Sequence, residues 1–528
     1  MVKDPASEAV TPEASKAAVT PPRSGGEPRG FFGHPRGLQT LFFTEMWERF
    51  SYYGMRAILI LFMTAAVANG GLGFDANKAG AIYGVYTSLV YIVALPGGWL
   101  ADRFLGQQRS VLYGGIVIML GHISLAMHGM TTFYSGLVLI VVGTGLLKPN
   151  ISVMVGQLYG ESDRRRDSGF SIFYMGINLG AFLAPLVCGW LAQDEGFRKT
   201  LAGWEIDPNR AWHWGFAAAA VGMFLGLVQY VIGLKHLAPA SRKPVPPADP
   251  AEAARSRKIL YGGLGAVALL GIASFLLVSS GTVTITEENV GTGFGVVLFA
   301  SVLGFFGWLF FGGNWTVAER RRLIVIAVLF LAAAIFWSAF EQAGSTLNLF
   351  ARDFTHTEVA GWDFEASYYQ SLNPLFIILL APVFAWLWIK LGRRDPSSAT
   401  KFSIGLLLVG LGFVVLIGGA QAAHRGIMVS PWWLFFAYLL HTLGELCLSP
   451  VGLSAMTKLA PARVASLMMG VWFLAASVGN YMGGTVARFY EDFSLTGIFG
   501  IVGAFCVGAA VIMALLVKPI RRMMERPS

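Results

Sequence analysis

Charged residues are scarce in this sequence. Asp, Glu, Lys and Arg make up 13% of its 528 residues, whereas 55% are hydrophobic. An average soluble domain contains about 25% charged residues. The mean hydropathy of +0.60 therefore excludes an ordinary soluble protein and indicates an all-α chain that crosses the lipid bilayer many times. The net charge of +9 does not indicate a nucleic-acid partner, because the basic residues lie in short loops, where orientation in the membrane accounts for them.

Cysteines and catalytic motifs are also lacking. The three cysteines, Cys188, Cys447 and Cys506, lie in apolar runs without CxxC or Cys/His spacing, so we interpret them as packing residues. The sequence contains no HExxH, GxSxG or Walker loop, which argues against those enzyme classes and against ATP-driven transport. We expect no enzyme, no metal and no organic cofactor.

The hydrophobic runs predict fourteen membrane spans. Residues 1–37 are rich in Pro, Ala, Ser, Gly and charge, and are predicted to be a disordered cytoplasmic tail without a signal peptide. About 20 apolar residues suffice for one helical span. The spans are predicted at 38–68, 77–101, 110–128, 132–158, 168–192, 212–234, 259–279, 294–313, 323–351, 366–391, 402–420, 431–457, 464–487 and 497–517.

The basic residues of the loops support this count. With the segments assigned alternately to the two sides, 29 of the 39 Lys and Arg residues fall on the side of both termini and 7 on the other. Cytoplasmic loops carry such an excess, so both termini are predicted to be cytoplasmic. Six spans, two spans and six spans suggest two bundles with a site between them. The predicted units are 38–234 (first bundle), 235–258 (cytoplasmic linker), 259–313 (two inserted helices), 314–322 (cytoplasmic loop), 323–517 (second bundle) and 518–528 (cytoplasmic tail).

Four charges stand in the first span. Glu45, Glu48, Arg49 and Arg56 fall with Tyr52 on one helical face. Facing lipid, four charges would oppose insertion by about 10 kcal/mol, at roughly 2.5–3.5 kcal/mol each. They are therefore predicted to line a polar cavity, or alternatively to form a buried ion-pair network.

The other charges within the predicted spans occupy corresponding helices of the two bundles. Lys148 is in the fourth span, Glu341 in the seventh and Glu445 in the tenth, when the inserted spans are not counted. In two bundles of six, the first span corresponds to the seventh and the fourth span to the tenth. Arg56 and Glu341 therefore carry opposite charges on corresponding helices, and so do Lys148 and Glu445. Together these four spans carry four acidic and three basic side chains, so binding of one proton makes this set of charges neutral, which suits a proton-coupled cycle. The alternative is two structural ion pairs. The inserted spans carry no ionisable Asp, Glu, Lys, Arg or His and are predicted to be peripheral.

Histidines and aromatic residues are weaker candidates. His441 precedes Glu445 by one helical turn and either joins a proton relay or bonds a neighbour; His122 and His128 are lone imidazoles. The aromatic residues considered for a substrate pocket are Tyr52, Tyr53, Tyr91, Trp337 and Trp472.

The segment TEMWERFSYYGMR at 44–56 resembles the signature E-x-x-E-R-F-x-Y-Y-G of the proton-dependent oligopeptide transporter family, a bacterial-type branch of the major facilitator superfamily. Further matches, which extend the resemblance to about residues 38–517, are GGWLADRFLG (97–106), LLKPN (146–150), FSIFYMGINLGAFLAPL (170–186), FEQAGST (340–346) and GELCLSPVGLS (444–454).

The resemblance implies a major facilitator fold in a bacterial inner membrane and symport of di- and tripeptides with protons. It implies proton coupling by Glu45, Glu48, Arg49 and Glu341. It also assigns Arg56 and Lys148 to the peptide carboxylate, and Glu445 with Asn178 and Asn373 to the amino terminus and backbone. Tyr52, Tyr53, Tyr91, Trp337 and Trp472 are assigned to the pocket.

Three alternatives remain from the sequence. A same-fold carrier of nitrate or another small acid needs no Glu445, since such anions lack an amine. A fourteen-span drug–proton antiporter is expected to prefer lipophilic cations, which Arg56 and Lys148 disfavour. A peptide sensor that does not transport its ligand is the third alternative.

Overall fold

A computed structural model describes residues 30–524 except 161–162, 239–240, 245–248, 282–285, 360, 462–463 and 465–466. The described chain is almost entirely helical, with one two-stranded antiparallel ribbon of β1 (Glu358–Val359) and β2 (Trp362–Asp363). Its helices are α1 (Arg36–Thr64), α2 (Ala76–Ile92), α3 (Ala94–Leu100), α4 (Gln107–Ala126), α5 (Met130–Gln157), α6 (Arg166–Gln193), α7 (Glu195–Gly203), α8 (Ala211–Gly233), α9 (Pro250–Ser279), α10 (Glu287–Phe311), α11 (Val317–Phe340), α12 (Thr346–Phe354), α13 (Leu372–Leu391), α14 (Ser398–His424), α15 (Trp432–Leu459), α16 (Met468–Ala487) and α17 (Leu495–Met524).

The described helices confirm the predicted spans. Twelve helical segments are long and apolar enough to cross a membrane. Two further helices complete fourteen: α1, which is 29 residues long and carries the four charges, and α16, which is 20 residues long. Only helices or closed barrels satisfy their backbone hydrogen bonds inside a bilayer, which explains why almost every apolar run became a helix.

Local sequence sets several helix boundaries. Asp75 and Asp194 accept hydrogen bonds from the first-turn amides of α2 and α7, at 2.7 and 2.6 Å. Thr316 and Glu319 form a capping box at the start of α11. Each of these side chains satisfies a backbone donor that the helix itself leaves unpaired. Pro149, Pro185, Pro382, Pro450 and Pro519 lie inside helices, where each removes one backbone hydrogen bond.

The helices form two bundles. In the first, α4 packs on α5, and α1 packs on α6 and α8; in the second, α14 packs on α15 and α17, and α11 packs on α16. The bundles meet where α2 packs on α16 and where α6 packs on α13. We call the side of the membrane on which α1 begins the terminus side, and the opposite side the far side. The predicted division into two six-helix bundles with two helices between them is confirmed.

The far-side half joins the bundles closely. Gly84 of α2 lies so near Gly484 of α16 that a Cβ on Gly484 would strike the backbone of Gly84. Farther along the same contact, the hydroxyls of Ser88 and Ser477 lie 2.6 Å apart. A hydrogen bond from Ser371 to the Phe182 carbonyl, 2.8 Å long, also crosses between the bundles. Small residues therefore let the two bundles approach at the backbone.

Two predicted spans are interrupted. The span 77–101 divides at Val93 into α2 and α3. The run 323–351 was expected to be continuous, but α11 ends at Phe340 and a 3-10 turn follows over Glu341–Gly344. Ser345 has non-helical dihedral angles, φ −128° and ψ −96°, before α12 begins. Glu341 thus stands directly after the end of α11, buried in the protein interior.

The inserted helices differ from each other. The apolar side chains of α9 are largely exposed, as expected for lipid contact, whereas α10 buries Leu298, Val302 and Leu309. The Tyr481 hydroxyl of α16 donates to the Gly291 carbonyl of α10 at 3.0 Å. The helix α9 begins at Pro250 rather than near residue 259, because Asp249 caps it and proline favours the first helical position.

The segment that precedes α1 is fixed to the terminus side of the first bundle. The His34 ring nitrogen Nδ1 lies 2.9 Å from the Tyr159 hydroxyl, and Arg165 donates to the Gly33 carbonyl at 3.2 Å. Arg165 also pairs with Asp163 at 2.8 Å. Burial and the Arg165 guanidinium lower the pKa of His34, while burial raises the pKa of Tyr159 to about 12. The imidazole is therefore stabilised in its neutral form.

The three cysteines are unpaired and buried. Cys188 of α6 packs against Gly54 of α1. The interpretation of these cysteines as packing residues agrees with their positions.

Candidate functional site

The signature segment forms a buried charge cluster in α1. Arg49 Nε lies 2.7 Å from Glu45 Oε1 and 2.7 Å from Glu48 Oε2. All three side chains are at most 5% exposed. One guanidinium thus lies between two carboxylates, which leaves the cluster with one negative charge when every group is ionised. A buried excess charge is costly, and the Lys148 ammonium, which interacts electrostatically with Glu45 and Glu48, offsets it. The cluster and Lys148 together therefore form a buried group that can exchange a proton.

A second cluster joins the two bundles. Arg56 Nη2 of α1 lies 2.6 Å from Glu341 Oε2, and Arg56 Nε donates to the Tyr83 hydroxyl of α2 at 2.8 Å. The guanidinium also lies 5.7 Å from the centroid of the Tyr53 ring. The structure therefore contains the Arg56–Glu341 pair, whose two members the sequence placed on corresponding helices.

A cavity of about 140 Å³ lies between the bundles. Ligand pockets usually measure about 300–1,000 Å³, so this cavity must widen before it holds more than a small ligand. Eight of the predicted site residues line it: Tyr53, Arg56, Tyr91, Asn178, Trp337, Glu341, Asn373 and Glu445. His441 lines it as well, and its ring stacks on Phe413 with the centroids 5.0 Å apart.

The second bundle supplies an acidic wall of this cavity. The Asn373 amide of α13 donates to Glu445 Oε2 at 2.9 Å and to the Thr442 hydroxyl at 3.0 Å. Asn373 thereby fixes the Glu445 carboxylate while leaving its other oxygen for a ligand. Asn178 of α6 donates to the carbonyl of Tyr174 in its own helix at 2.9 Å, so its amide oxygen remains available as an acceptor.

The first bundle supplies a second basic group, Lys148, in addition to Arg56. The Lys148 ammonium of α5 lies 3.8 Å from the centroid of the Tyr91 ring, a cation–π distance. Within the described residues, Lys148 and Glu445 form no ion pair with each other or with a third residue. The pairing of Lys148 with Glu445, which their corresponding helices predicted, is therefore not formed in this conformation.

Three predicted pocket residues lie behind the cavity wall. Lys148 does not line the cavity itself, but its ammonium contacts the ring of Tyr91, which does. Trp472 contacts Trp337 edge to face, with centroids 6.5 Å apart. Tyr52 is 3% exposed and contacts Tyr53 in the same manner at 5.3 Å. These side chains support the residues that line the cavity.

Sequence reasoning missed Tyr83, Gln370 and Tyr438. Tyr83 binds Arg56, while Gln370 and Tyr438 line the cavity. Tyrosines are common in membrane spans, so the sequence offered no reason to prefer Tyr83 or Tyr438. Gln370 precedes Asn373 by one turn, which was an available signal once Asn373 had been selected.

Two six-helix bundles that enclose a charged cavity in the membrane define a transporter of the major facilitator type. The chain belongs to the PTR2 or POT family, which matches residues 108–505. It is 44% identical to the peptide transporter YePEPT of Yersinia enterocolitica over 94% of this chain and 96% of that protein. It is 38% identical to a di-/tripeptide transporter of Lactococcus lactis subsp. cremoris over 94% and 97%. A crystal structure of the peptide transporter POT in complex with sulfate aligns with a TM-score of 0.85 at 45% identity, covering 94% of this chain and 97% of that one.

Proposed function

We propose that the protein is a symporter that imports di- and tripeptides with protons by alternating access across a bacterial inner membrane. The terminus side is cytoplasmic in this proposal, supported by the distribution of Lys and Arg among the loops. The described conformation, which joins the bundles at the far side, is then closed toward the outside.

One observation carries the proposal. The two bundles hold groups of opposite charge at one cavity: Lys148 of the first lies behind the cavity wall against Tyr91, and Glu445 of the second lines the cavity beside Asn373. Neither is in an ion pair within the described chain. A peptide is a zwitterion with charged ends and variable side chains. Its carboxylate suits Lys148, with Arg56 after release from Glu341, and its ammonium suits Glu445. Recognition by the end groups tolerates the variable middle.

The proton sites follow from the two clusters. The Glu45–Glu48–Arg49 cluster has an excess carboxylate in the interior. Glu341 neutralises Arg56 across the bundles. Protonation of Glu341 would remove the attraction that holds the far side closed and would release Arg56 for the peptide carboxylate. Protons serve as the coupling ion without a further cofactor.

The energy supply is adequate. One proton moving through about 100 mV yields about 2.3 kcal/mol, and a pH difference of one unit adds about 1.4 kcal/mol. At about 1.4 kcal/mol per tenfold concentration ratio, one proton per peptide sustains a gradient of roughly 500-fold. Small peptides are thus accumulated without ATP.

Uptake by proteoliposomes tests the proposal. Radiolabelled dialanine should accumulate under an imposed inward proton gradient and membrane potential, and a protonophore should abolish the accumulation. Glu48→Gln should lose accumulation while retaining some exchange of internal for external peptide, since the substrate cavity is intact. Nitrate as a competitor and a lipophilic cation as an alternative substrate distinguish the same-fold alternatives.

Two outcomes would reject the proposal. Binding of dialanine without uptake in well-folded protein would indicate a sensor. Gradient-driven uptake of nitrate in place of dialanine would indicate a carrier of small acids, for which the Glu445–Asn373 wall has no evident use.

A further inference from the structure

Two amides of the second bundle converge on one carbonyl of the first. Asn348 Nδ2 of α12 lies 2.8 Å from the Ala57 carbonyl oxygen, and Gln370 Nε2, in the turn before α13, lies 3.3 Å from the same atom. Ala57 follows Arg56 in α1. We call this arrangement the Ala57 contact.

The Ala57 contact lies beside the Arg56–Glu341 pair in sequence and in space. Asn348 is 1% exposed, so its hydrogen bond forms away from water, where breaking it leaves a donor unpaired at a cost. The contact joins the same two bundles as the ion pair does. Separation of the bundles on the far side must therefore break both.

The two amides differ in what else they contact. Gln370 lines the central cavity, whereas Asn348 does not. The Gln370 bond is also the longer of the two, and a ligand or water that enters the cavity competes for its amide. Gln370 is thus the member of the contact that occupancy of the cavity can displace, and Asn348 is the fixed member.

We propose that Asn348 and Gln370 are positioning residues of the far-side gate, which hold α1 at Ala57 so that Arg56 reaches Glu341, and that Gln370 links opening of this gate to occupancy of the cavity. The proposal rests on the alternating-access function stated above. It assigns a role to two side chains that are neither proton acceptors nor end-group ligands.

Accessibility of a thiol introduced into the far-side contact tests the gate directly and needs no transport. Ser88→Cys places this reporter thiol at a buried position of α2 that faces Ser477, and the three native cysteines are buried. Asn348→Leu and Gln370→Leu, each combined with Ser88→Cys, should increase labelling of the reporter thiol by about threefold or more. The label is a membrane-impermeant maleimide added from the far side.

The matched control is Asn150→Leu. Asn150 is similarly buried, but its amide donates to the Leu146 carbonyl of its own helix at 2.7 Å. This variant should leave the labelling of the reporter thiol unchanged. Equal labelling of the Asn348 and Gln370 variants and the parent would overturn the gate assignment.

A second variant guards against misfolding. Gln370→Glu keeps the shape of the side chain, but an ionised carboxylate repels the Ala57 carbonyl whereas the protonated acid donates to it. Labelling of the reporter thiol in this variant should rise as the pH is raised from 5 to 8, relative to the parent at each pH. A pH-independent ratio would contradict the proposal for Gln370.

Transport separates the two proposals. The Gln370→Leu variant should lose proton-driven accumulation of dialanine by a larger factor than it loses exchange, because the gate opens without the proton. If the parent protein does not transport dialanine but the variants still change the labelling of the reporter thiol, the gate assignment holds and the proposed peptide substrate is rejected. Equal losses of accumulation and exchange, with unchanged labelling, would reject the gate assignment.

Discussion

Arg56 of α1 and Glu341 of the 3-10 turn after α11 form an ion pair 2.6 Å long between the two bundles. Both side chains are at most 7% exposed. Removal of one partner from a buried pair costs about 3–5 kcal/mol, because the other charge is left uncompensated. A difference of about 5.5 kcal/mol shifts two populations by about 10⁴-fold, so loss of either partner should shift the balance between conformations strongly.

Glu341→Gln should abolish concentrative uptake. The amide keeps the shape of the side chain but binds no proton. The ratio of internal to external peptide concentration, which one proton could raise to roughly 500-fold, should therefore stay near one. Exchange of peptide across the membrane should persist. The comparison is accumulation against exchange in proteoliposomes, with Asp353→Asn as control, since Asp353 pairs with Arg352 outside the cavity. Concentrative uptake by the Glu341 variant at the parent level would exclude Glu341 as a coupling residue.

Lys148→Ala and Glu445→Ala should be strongly non-additive. The two residues are unpaired with each other in the described conformation, and they are predicted to pair when the terminus side closes. Coupled residues deviate from additivity by about 0.5–3 kcal/mol. A double-mutant cycle on dialanine affinity, with cysteine accessibility on the terminus side as a second readout, measures this coupling. Additive effects in both readouts would mean that the residues act independently.

Tyr83→Phe should weaken the far-side closure. It removes a hydrogen bond of 2.8 Å to the Arg56 guanidinium, and bonds to charged groups contribute about 1.5–3 kcal/mol. In the Ser88→Cys background, labelling of the reporter thiol from the far side should therefore rise about tenfold or more. Tyr86→Phe is the control, because the buried Tyr86 hydroxyl has no hydrogen-bond partner within the described residues. Equal labelling of the two variants would show that Tyr83 does not hold Arg56.

Deletion of residues 259–313, with the linker rejoined before Arg320, should reduce the yield but preserve proton coupling. The lost contacts include the buried Leu298 and the hydrogen bond from Tyr481 to α10, so thermal stability should fall. No described residue of this segment lines the central cavity. Stable protein without any uptake of dialanine would show that the inserted helices take part in transport.

Acidification should loosen the segment around His34. Its pKa in the folded protein is lowered by burial and Arg165, whereas an unperturbed histidine titrates near about pH 6.5. Its contribution to docking is therefore complete above about pH 6.5 and is lost as the pH falls toward the lowered value. Hydrogen exchange of residues 30–40, corrected for the intrinsic effect of pH, should increase between pH 7.5 and 5.5. His34→Gln should remove this increase; an identical increase in that variant would exclude His34.

The sequence predicted the helices better than the site. Long apolar runs have few alternatives in a bilayer, so fourteen spans could be placed, and most of their ends lie within a few residues of the helix ends. The exceptions are α9, α10 and α11, which begin earlier than predicted, α13, which begins later, and α17, which ends later. The break after Phe340 was missed because apolar runs do not show where a helix end is stabilised by neighbours. The residues that could have indicated this break are Gly344 and the following Ser345.

Contacts between bundles were predictable only in part. Opposite charges on equivalent helices pointed to Arg56 and Glu341, which are paired. The same reasoning applied to Lys148 and Glu445, which are not paired in this conformation. Distances between rigid bundles depend on the conformational state, and one sequence encodes all of its states. The side-chain amides of Asn348 and Gln370 donate to a backbone carbonyl. Every residue has such a carbonyl, so the sequence does not indicate which one accepts the hydrogen bonds.

The close approach of α2 and α16 has an electrical consequence. Between Gly84 and Ser88 on one helix and Ser477 and Gly484 on the other, no side chain carries a formal charge. Such a layer is a poor conductor, and when water fills the cavity from the terminus side the membrane voltage drops mainly across this layer. A charge displaced within that layer's field does work of up to about 2.3 kcal/mol per 100 mV. The resting potential of the cell would then act directly on the helices that carry Arg56 and Glu341, and transport currents would report their movement.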